Sequence, residues 1–178
     1  MGYRPICDVW LLARSKVKYY GAYPAGFLSR ARALLGVSID DPVLHLCSGM
    51  VKDYPFGGYG ANDLRVDMDP STEPDAVRDI REPFNDDYMA EYRIKAVLAD
   101  PPYTEADADY YPVGREALPS CGDIFNRARE VLRPGERLGI LHYIWAKPPA
   151  DFKNIAVVTV LVGFNNRARL YTVYERCA

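Results

Sequence analysis

The sequence predicts an α/β protein: a mostly parallel seven-stranded sheet, helices on both faces, and a reversed strand at the carboxyl end. Three observations predict it. Short apolar runs alternate with segments of helical periodicity along most of the chain. The last two runs, 155–161 and 167–174, are separated by only 162–166, a connection long enough for a hairpin and too short for a parallel crossover. With 178 residues, 49% of them hydrophobic, the chain suits one domain with a substantial core.

The elements follow in order. Residues 19–24 (YYGAYP) are too rich in Gly, Pro and aromatics for a helix, whereas 25–35 (AGFLSRARALL) place Phe27, Ala31, Leu34 and Leu35 at helical spacing. Gly36 supplies a helix cap and Asp40-Asp41-Pro42 a turn, after which 43–47 (VLHLC) read as a short buried strand ended by Ser48-Gly49. Residues 64–68 (LRVDM) alternate toward a second strand with Asp67 and Asp69 at its carboxyl end, and 77–80 predict a short third. The apolar run 95–99 is the fourth strand. Residues 122–132 form a helix with Ile124, Phe125, Ala128, Val131 and Leu132 on one face, stopped by Pro134-Gly135, and 137–143 are a fifth strand before the terminal hairpin. The connection 103–120, containing Tyr110-Tyr111-Pro112-Val113-Gly114, has the length of a functional lid.

Composition narrows the classes. No apolar run reaches the roughly 18 residues of a membrane span, and the start Met-Gly-Tyr-Arg-Pro lacks a leader pattern, so neither a membrane location nor secretion is expected. Cys7, Cys47, Cys121 and Cys177 are scattered, with only His45 and His142 as histidines, which predicts neither a metal site nor a disulfide framework and points to a reducing cytoplasm. The formal net charge is only -2, but the charge is uneven. Residues 1–36 carry Arg4, Arg14, Lys16, Lys18, Arg30 and Arg32 against Asp8 alone; from 63 to 109 there are fourteen acids and five bases. The amino-terminal segment is therefore either a basic arm for phosphates or a solvated helix face.

Directly after the run 95–99 stands Asp100-Pro101-Pro102-Tyr103. Alone, such a turn can be simple punctuation that ends a strand. Together with the order of elements it resembles the Rossmann-like S-adenosylmethionine-dependent amino methyltransferases, in particular the bacterial and phage N6-adenine DNA methyltransferases with a DPPY motif. The resemblance covers nearly the whole chain. A planar amine is a poor nucleophile, because its lone pair is delocalised into the ring. Acceptors aimed at its two hydrogens, here the Asp100 carboxylate and the Pro101 carbonyl, favour the tetrahedral geometry and the positive charge of the transition state. Pro101 and Pro102 hold those acceptors rigidly, and Tyr103 is expected to stack on the base.

The resemblance also implies a cofactor site. Cys47, Ser48 and Gly49 occupy the place of the family's Gly-containing loop, although Met50 and Val51 replace the usual second Gly. Asp67 matches the acid that accepts both ribose hydroxyls, with Asp69 in reserve and Met68 against the adenine. Asp79 and Ile80 match the position contacting the adenine amine. Tyr19, Tyr20, Tyr23 and Pro24 are expected to wall the methionine side. His142 and Trp145 fall on the cleft side of the sheet, His142 with a structural role.

Gly49 and Asp100 are 51 positions apart and core elements consume the 75 residues after Tyr103, so residues 1–178 are expected to be a single methyltransferase domain without a separate target-recognition domain. The expected partner is nucleic acid, DNA before RNA, with recognition supplied by the basic arm, the loop 103–120, a partner subunit or a second copy in a homo-oligomer. The expected location is the cytoplasm of a bacterium or phage-infected host. Methylation of an RNA base (guanine N2 or adenine N6) and a non-catalytic methyltransferase-like subunit remain as alternatives. The absence of Gly-x-Gly-x-x-Gly argues against a nucleotide-binding oxidoreductase.

Overall fold

In the computed structural model the described residues are 4–14, 17, 22–84, 88–104, 107, 118–163 and 167–177. They form strands β1 (Ile6–Leu12), β2 (Val43–Leu46), β3 (Leu64–Asp67), β4 (Ala76–Val77), β5 (Ala96–Ala99), β6 (Arg137–His142), β7 (Phe152–Val162) and β8 (Arg169–Arg176). The helices are α1 (Phe27–Leu35), α2 (Tyr88–Glu91) and α3 (Cys121–Val131). The sheet order is β1-β7-β8-β6-β5-β2-β3-β4, parallel throughout except for β8, which runs antiparallel to both β6 and β7.

The expected architecture is present, with the strand count corrected from seven to eight. The additional strand, β1, lies parallel to β7 at the sheet edge, within the segment expected to be a basic arm. Its apolar run escaped notice because only Trp10 and Leu12 reach the core, while Ile6, Val9 and Leu11 stay exposed and no clean alternation appears. Arg32 also leaves that arm: its guanidinium is buried and bonds the Asp63 carboxylate, so it is not available to phosphates.

Each helix covers one face of the sheet. Phe27, Leu28, Ala31 and Leu35 of α1 pack with Trp10, Val43, Leu98, Val158, Val160 and Tyr171. On the other face Ile124, Phe125 and Ala128 of α3 pack with Leu44, Leu46, Val97, Leu138 and Tyr174. The boundaries of α3 follow from its capping box, in which the Ser120 hydroxyl accepts from the Asp123 N–H and the Asp123 carboxylate accepts from the Ser120 N–H at 2.8 Å. Gly139 of β6 has a packing reason, since a Cβ there would lie 2.8 Å from a ring carbon of Tyr171.

A buried polar knot ties α1 to β2. The Asp63 carboxylate accepts from the Arg32 guanidinium, the Val43 N–H at 3.1 Å and the Gly60 N–H at 2.8 Å, and pairs with His45 Nε2 at 3.1 Å. Burial raises the Asp63 pKa, but the bonds from His45, Arg32 and Gly60 outweigh it and hold the carboxyl below its usual range. Asp63→Ala strands a buried guanidinium and is expected to cost about 3–5 kcal/mol. Urea unfolding measures this; an unchanged midpoint contradicts it.

Candidate active site at the carboxyl ends of the strands

Strands β2, β3 and β5 are parallel neighbours, so their carboxyl ends open on one edge of the sheet. From β2 the sheet continues to β3 and β4 on one side and to β5 and β6 on the other, so its strand order reverses there. Such a reversal leaves a crevice at the carboxyl ends, the usual ligand site of open α/β sheets.

The loop after β2 approaches that crevice with unusual backbone. Cys47 has φ 53°, a left-handed conformation costly for a side chain with a Cβ, and Gly49 has φ 48°. A Cβ added to Gly49 would meet no heavy atom within 4 Å, so this stretch of main chain faces open space. The loop is fixed from β3: the Ser48 N–H donates to the Val66 carbonyl at 3.2 Å and the Gly49 N–H to Asp67 Oδ2 at 2.7 Å. Asp67 Oδ1 accepts from the Asp69 N–H at 2.9 Å. Gly49 and Asp69 thus each donate a main-chain N–H to one Asp67 oxygen. Burial pushes the Asp67 pKa up, against the lowering effect of these N–H groups.

Asp69, the reserve candidate, is buried and caps the turn Pro70–Thr72 by accepting from the Ser71 N–H at 2.8 Å. Met68 is half-buried. Asp79 is gripped by Arg81, with Nε at 2.9 Å and Nη2 at 2.6 Å from Oδ2, which lowers its pKa. Ile80 is buried in the cluster that holds Leu64, Val66 and Phe84. The Cys47 thiol is raised by burial and then by the charges of Asp67, Asp100 and Asp79.

Asp100 continues β5, its N–H donating to the Leu46 carbonyl at 3.3 Å, and its carboxylate is half-buried. Burial raises its pKa to about 6, opposed by the Arg169 charge and a hydrogen bond from Tyr103. That bond revises the expected place of Tyr103. Its hydroxyl donates to Asp100 Oδ1, and its ring lies against Tyr143, with centroids 4.4 Å apart, and edge-on to His142 at 5.2 Å. The Arg169 charge offsets part of the burial effect on both Asp100 and the Tyr103 hydroxyl. Pro101 is buried and Pro102 half-buried.

Arg169 is the residue that sequence reading missed. The available signal was a lone cation opening the apolar strand Arg169–Arg176, two residues before the fully buried Tyr171. Tyr23 is buried, stacks on Phe27 at 4.9 Å, and lies near enough to Asp100 for that charge to raise its pKa further after burial itself. The Pro24 carbonyl accepts from the Phe27 N–H at 3.0 Å and from the Tyr54 hydroxyl, so Pro24 anchors the entry to α1. Tyr19, Tyr20 and most of the loop 103–120 lie outside the described residues. His142 Nδ1 accepts from the Tyr143 N–H at 2.9 Å, and burial lowers its pKa, which keeps the ring neutral. Trp145 is exposed. Among the described residues no group of His, Cys, Asp or Glu is arranged to hold a metal ion, and no helix is long and apolar enough to cross a membrane.

No protein-family model matches the chain, and no curated protein matches it. Solved structures do. TrmN from Thermus thermophilus aligns with 88% of this chain and 50% of its own at 16% identity and a TM-score of 0.63. The glycopeptide N-methyltransferase MtfA aligns with 86% of this chain and 96% of its own at 13% identity and a TM-score of 0.55. An rRNA methylase from Streptococcus thermophilus aligns with 84% and 95% at 12% identity and a TM-score of 0.51. The chain thus spans half the length of TrmN. The fold is the Rossmann-like methyltransferase fold, with its reversed strand near the carboxyl end.

The raised pKa of Asp100 has a consequence for stability. A folded pKa of about 6 lies above the ordinary carboxylate value of 3.8, so the stabilising contribution is fully present below pH ~3.8 and is lost as pH rises through about 6. Asp100→Asn is therefore expected to be more stable than the parent at pH 8, by about 1–2 kcal/mol given partial solvent access, and equal to it near pH 3.5. Urea unfolding at both pH values measures the difference; a constant gap contradicts the assignment.

Proposed function

We propose that this protein is an S-adenosylmethionine-dependent methyltransferase acting on an exocyclic amine of a nucleic-acid base. The observation that carries the reading is the Asp100 carboxylate, held by a Pro-Pro turn at the strand reversal and close enough to Cys47 to raise its thiol pKa, while Asp67 fixes the Gly49 loop on the same edge. The residues present fit the cofactor: Gly49 leaves open the space a side chain would fill, and the Asp67 carboxylate at the end of β3 is an acceptor for a ribose diol on the same edge. Asp67 would hold the ribose, Cys47, Ser48 and Gly49 the methionine portion with Tyr23, and Met68, Asp79 and Ile80 the adenine. When bound, the cofactor supplies an electrophilic methyl group on a sulfonium.

The chain's own residues prepare the acceptor. Above pH ~6 Asp100 is ionised and accepts a hydrogen bond from the amine, while the Pro101 carbonyl accepts from its second hydrogen. Both bonds strengthen as the nitrogen becomes tetrahedral and positive, so they stabilise the transition state more than the bound base. Tyr103 occupies Asp100 Oδ1, which leaves the second carboxylate oxygen for the amine.

Adenine N6 in DNA is the target the tetrapeptide supports, by the resemblance described above. RNA is the second reading, supported by the rRNA methylase of like fold. An intact Asp100-Pro101-Pro102-Tyr103 argues against a purely non-catalytic subunit.

Calorimetry with S-adenosylmethionine is expected to show binding that Asp67→Ala weakens by about 10- to 100-fold; no binding by the parent protein contradicts the cofactor assignment. Methyl transfer from labelled cofactor to DNA and RNA, read by nucleoside mass spectrometry, identifies base and polymer together. Asp100→Ala is expected to lower that transfer by about 100- to 1000-fold with cofactor binding retained. In the parent, kcat/KM rises tenfold per pH unit up to a pH of about 6 and then levels; this limb disappears in Asp100→Asn.

A further inference from the structure

We propose that the exposed indole of Trp145 stacks on the base that flanks the methylated one in a single strand of nucleic acid, so that the protein grips its target through a neighbour as well as through the amine. The inference rests on the amine methyltransferase reading above and adds to it the local form of the substrate.

The chain leaving β6 is fixed at both ends of a short segment and presents what lies between. At the start His142 Nδ1 accepts from two successive main-chain N–H groups, Tyr143 at 2.9 Å and Ile144 at 3.2 Å, which turns the chain out of the strand. At the end Ala146 is buried, and its carbonyl accepts from the hydroxyl of the buried Tyr174 at 2.6 Å. Between these anchors Ile144 is 57% and Trp145 49% exposed. Two large apolar side chains are thus held in water by ordered backbone, which marks a contact surface.

The position of this surface and the charge beside it identify the occupant. Tyr103, bonded to Asp100, lies against the Tyr143 ring with centroids 4.4 Å apart. Trp145 follows Tyr143 by two residues, so their Cα atoms are at most about 7 Å apart. The surface therefore continues the aromatic wall that begins at the tetrapeptide. The Arg167 guanidinium lies 6.0 Å from the centroid of the Tyr143 ring and 3.5 Å from its hydroxyl, with Asp107 at 3.8 Å, and its side chain is 66% exposed. Lys147, next but one to Trp145, is exposed as well. Flat rings bordered by cations match bases joined by phosphates, whereas an apolar protein partner has no use for the cations. In a duplex the flanking base is already stacked on its neighbours. A single strand leaves its face free, so the surface favours single-stranded or locally opened substrate.

The test uses single-stranded oligonucleotides in which the nucleotide on the 5′ or the 3′ side of the methylated base is intact or abasic. Trp10, the other tryptophan of the chain, is buried, so indole emission reports stacking at Trp145 without any methyl transfer. The intact strand is expected to quench that emission, and an abasic residue on one side to remove most of the quench; equal quenching by every strand overturns the proposal. In methyl transfer the parent protein is expected to lose about 5- to 100-fold in kcat/KM on the same abasic strand, mostly through KM. Trp145→Ala is expected to lose a similar factor on the intact strand and nothing further on the abasic one, while Trp145→Phe recovers part of the loss. Transfer indifferent to both flanks overturns the proposal and leaves the amine reading standing. Flank-dependent quenching without transfer to any base supports the stacking contact and overturns the amine reading. A dimer of the parent that Trp145→Ala dissociates in sedimentation assigns the surface to a second copy of the chain and overturns the proposal.

Discussion

The reversal of strand order at β2 is the constraint from which the site follows. The connection from β2 to β3 runs on the α1 face, where Tyr54 joins the α1 cluster and a Cβ on Gly58 would lie 2.6 Å from the Ser29 main chain. The connection from β5 to β6 contains α3 and lies on the opposite face. Two adjacent parallel strands thus send their chains apart beyond Cys47 and Asp100. Parallel β-α-β units turn in one hand only, so any chain that builds a sheet outward in both directions from β2 must leave this crevice. Left-handed backbone at Cys47 and Gly49 is then tolerated because the surrounding ladder fixes both ends of the loop.

Two aspartates show how environment assigns different work to one side chain. Asp63 accepts from Arg32, Val43 and Gly60 and pairs with His45; its bonds outweigh burial and its pKa falls. Asp100 has one close side-chain donor, Tyr103, and a cation beyond it, and its pKa rises to about 6. Asp63 has its hydrogen bonds and contributes stability. Among the described residues Asp100 has fewer donors than Asp63, which is the condition under which a carboxylate gains from a donor that arrives with a ligand.

Most of the sheet was legible because its inner strands are short buried runs bounded by turn residues, and every expected strand lies within three residues of an observed one. The Gly36 cap lay in plain sequence, whereas the capping box at Ser120 came from the structure. What sequence did not reveal depends on pairing at long range. Strand β1 became visible only beside β7, since an edge strand with one half-covered face shows weak alternation. Arg32 looked like a surface cation until Asp63, 31 positions away, met it. In the site, Asp67, Gly49 and Asp100 could be found because each follows a strand, and position after a parallel strand predicts the carboxyl edge. Arg169 could not, because it opens a strand, and only the reversal of β8 carries that beginning to the same edge.

The reversal gives the antiparallel strand a chemical role as well as a topological one. In an all-parallel sheet every strand delivers its carboxyl end and following loop to the crevice, and strand beginnings lie at the far side. β8 alone presents an amino-terminal end there, so Arg169 arrives from ordered, hydrogen-bonded structure and not from a loop. Its cation reduces the penalty of burying Asp100, to which the Tyr103 hydroxyl donates. In the proposed reaction the amine gains most from Asp100 when positive charge develops on nitrogen, and it is there that the carboxylate lowers the barrier.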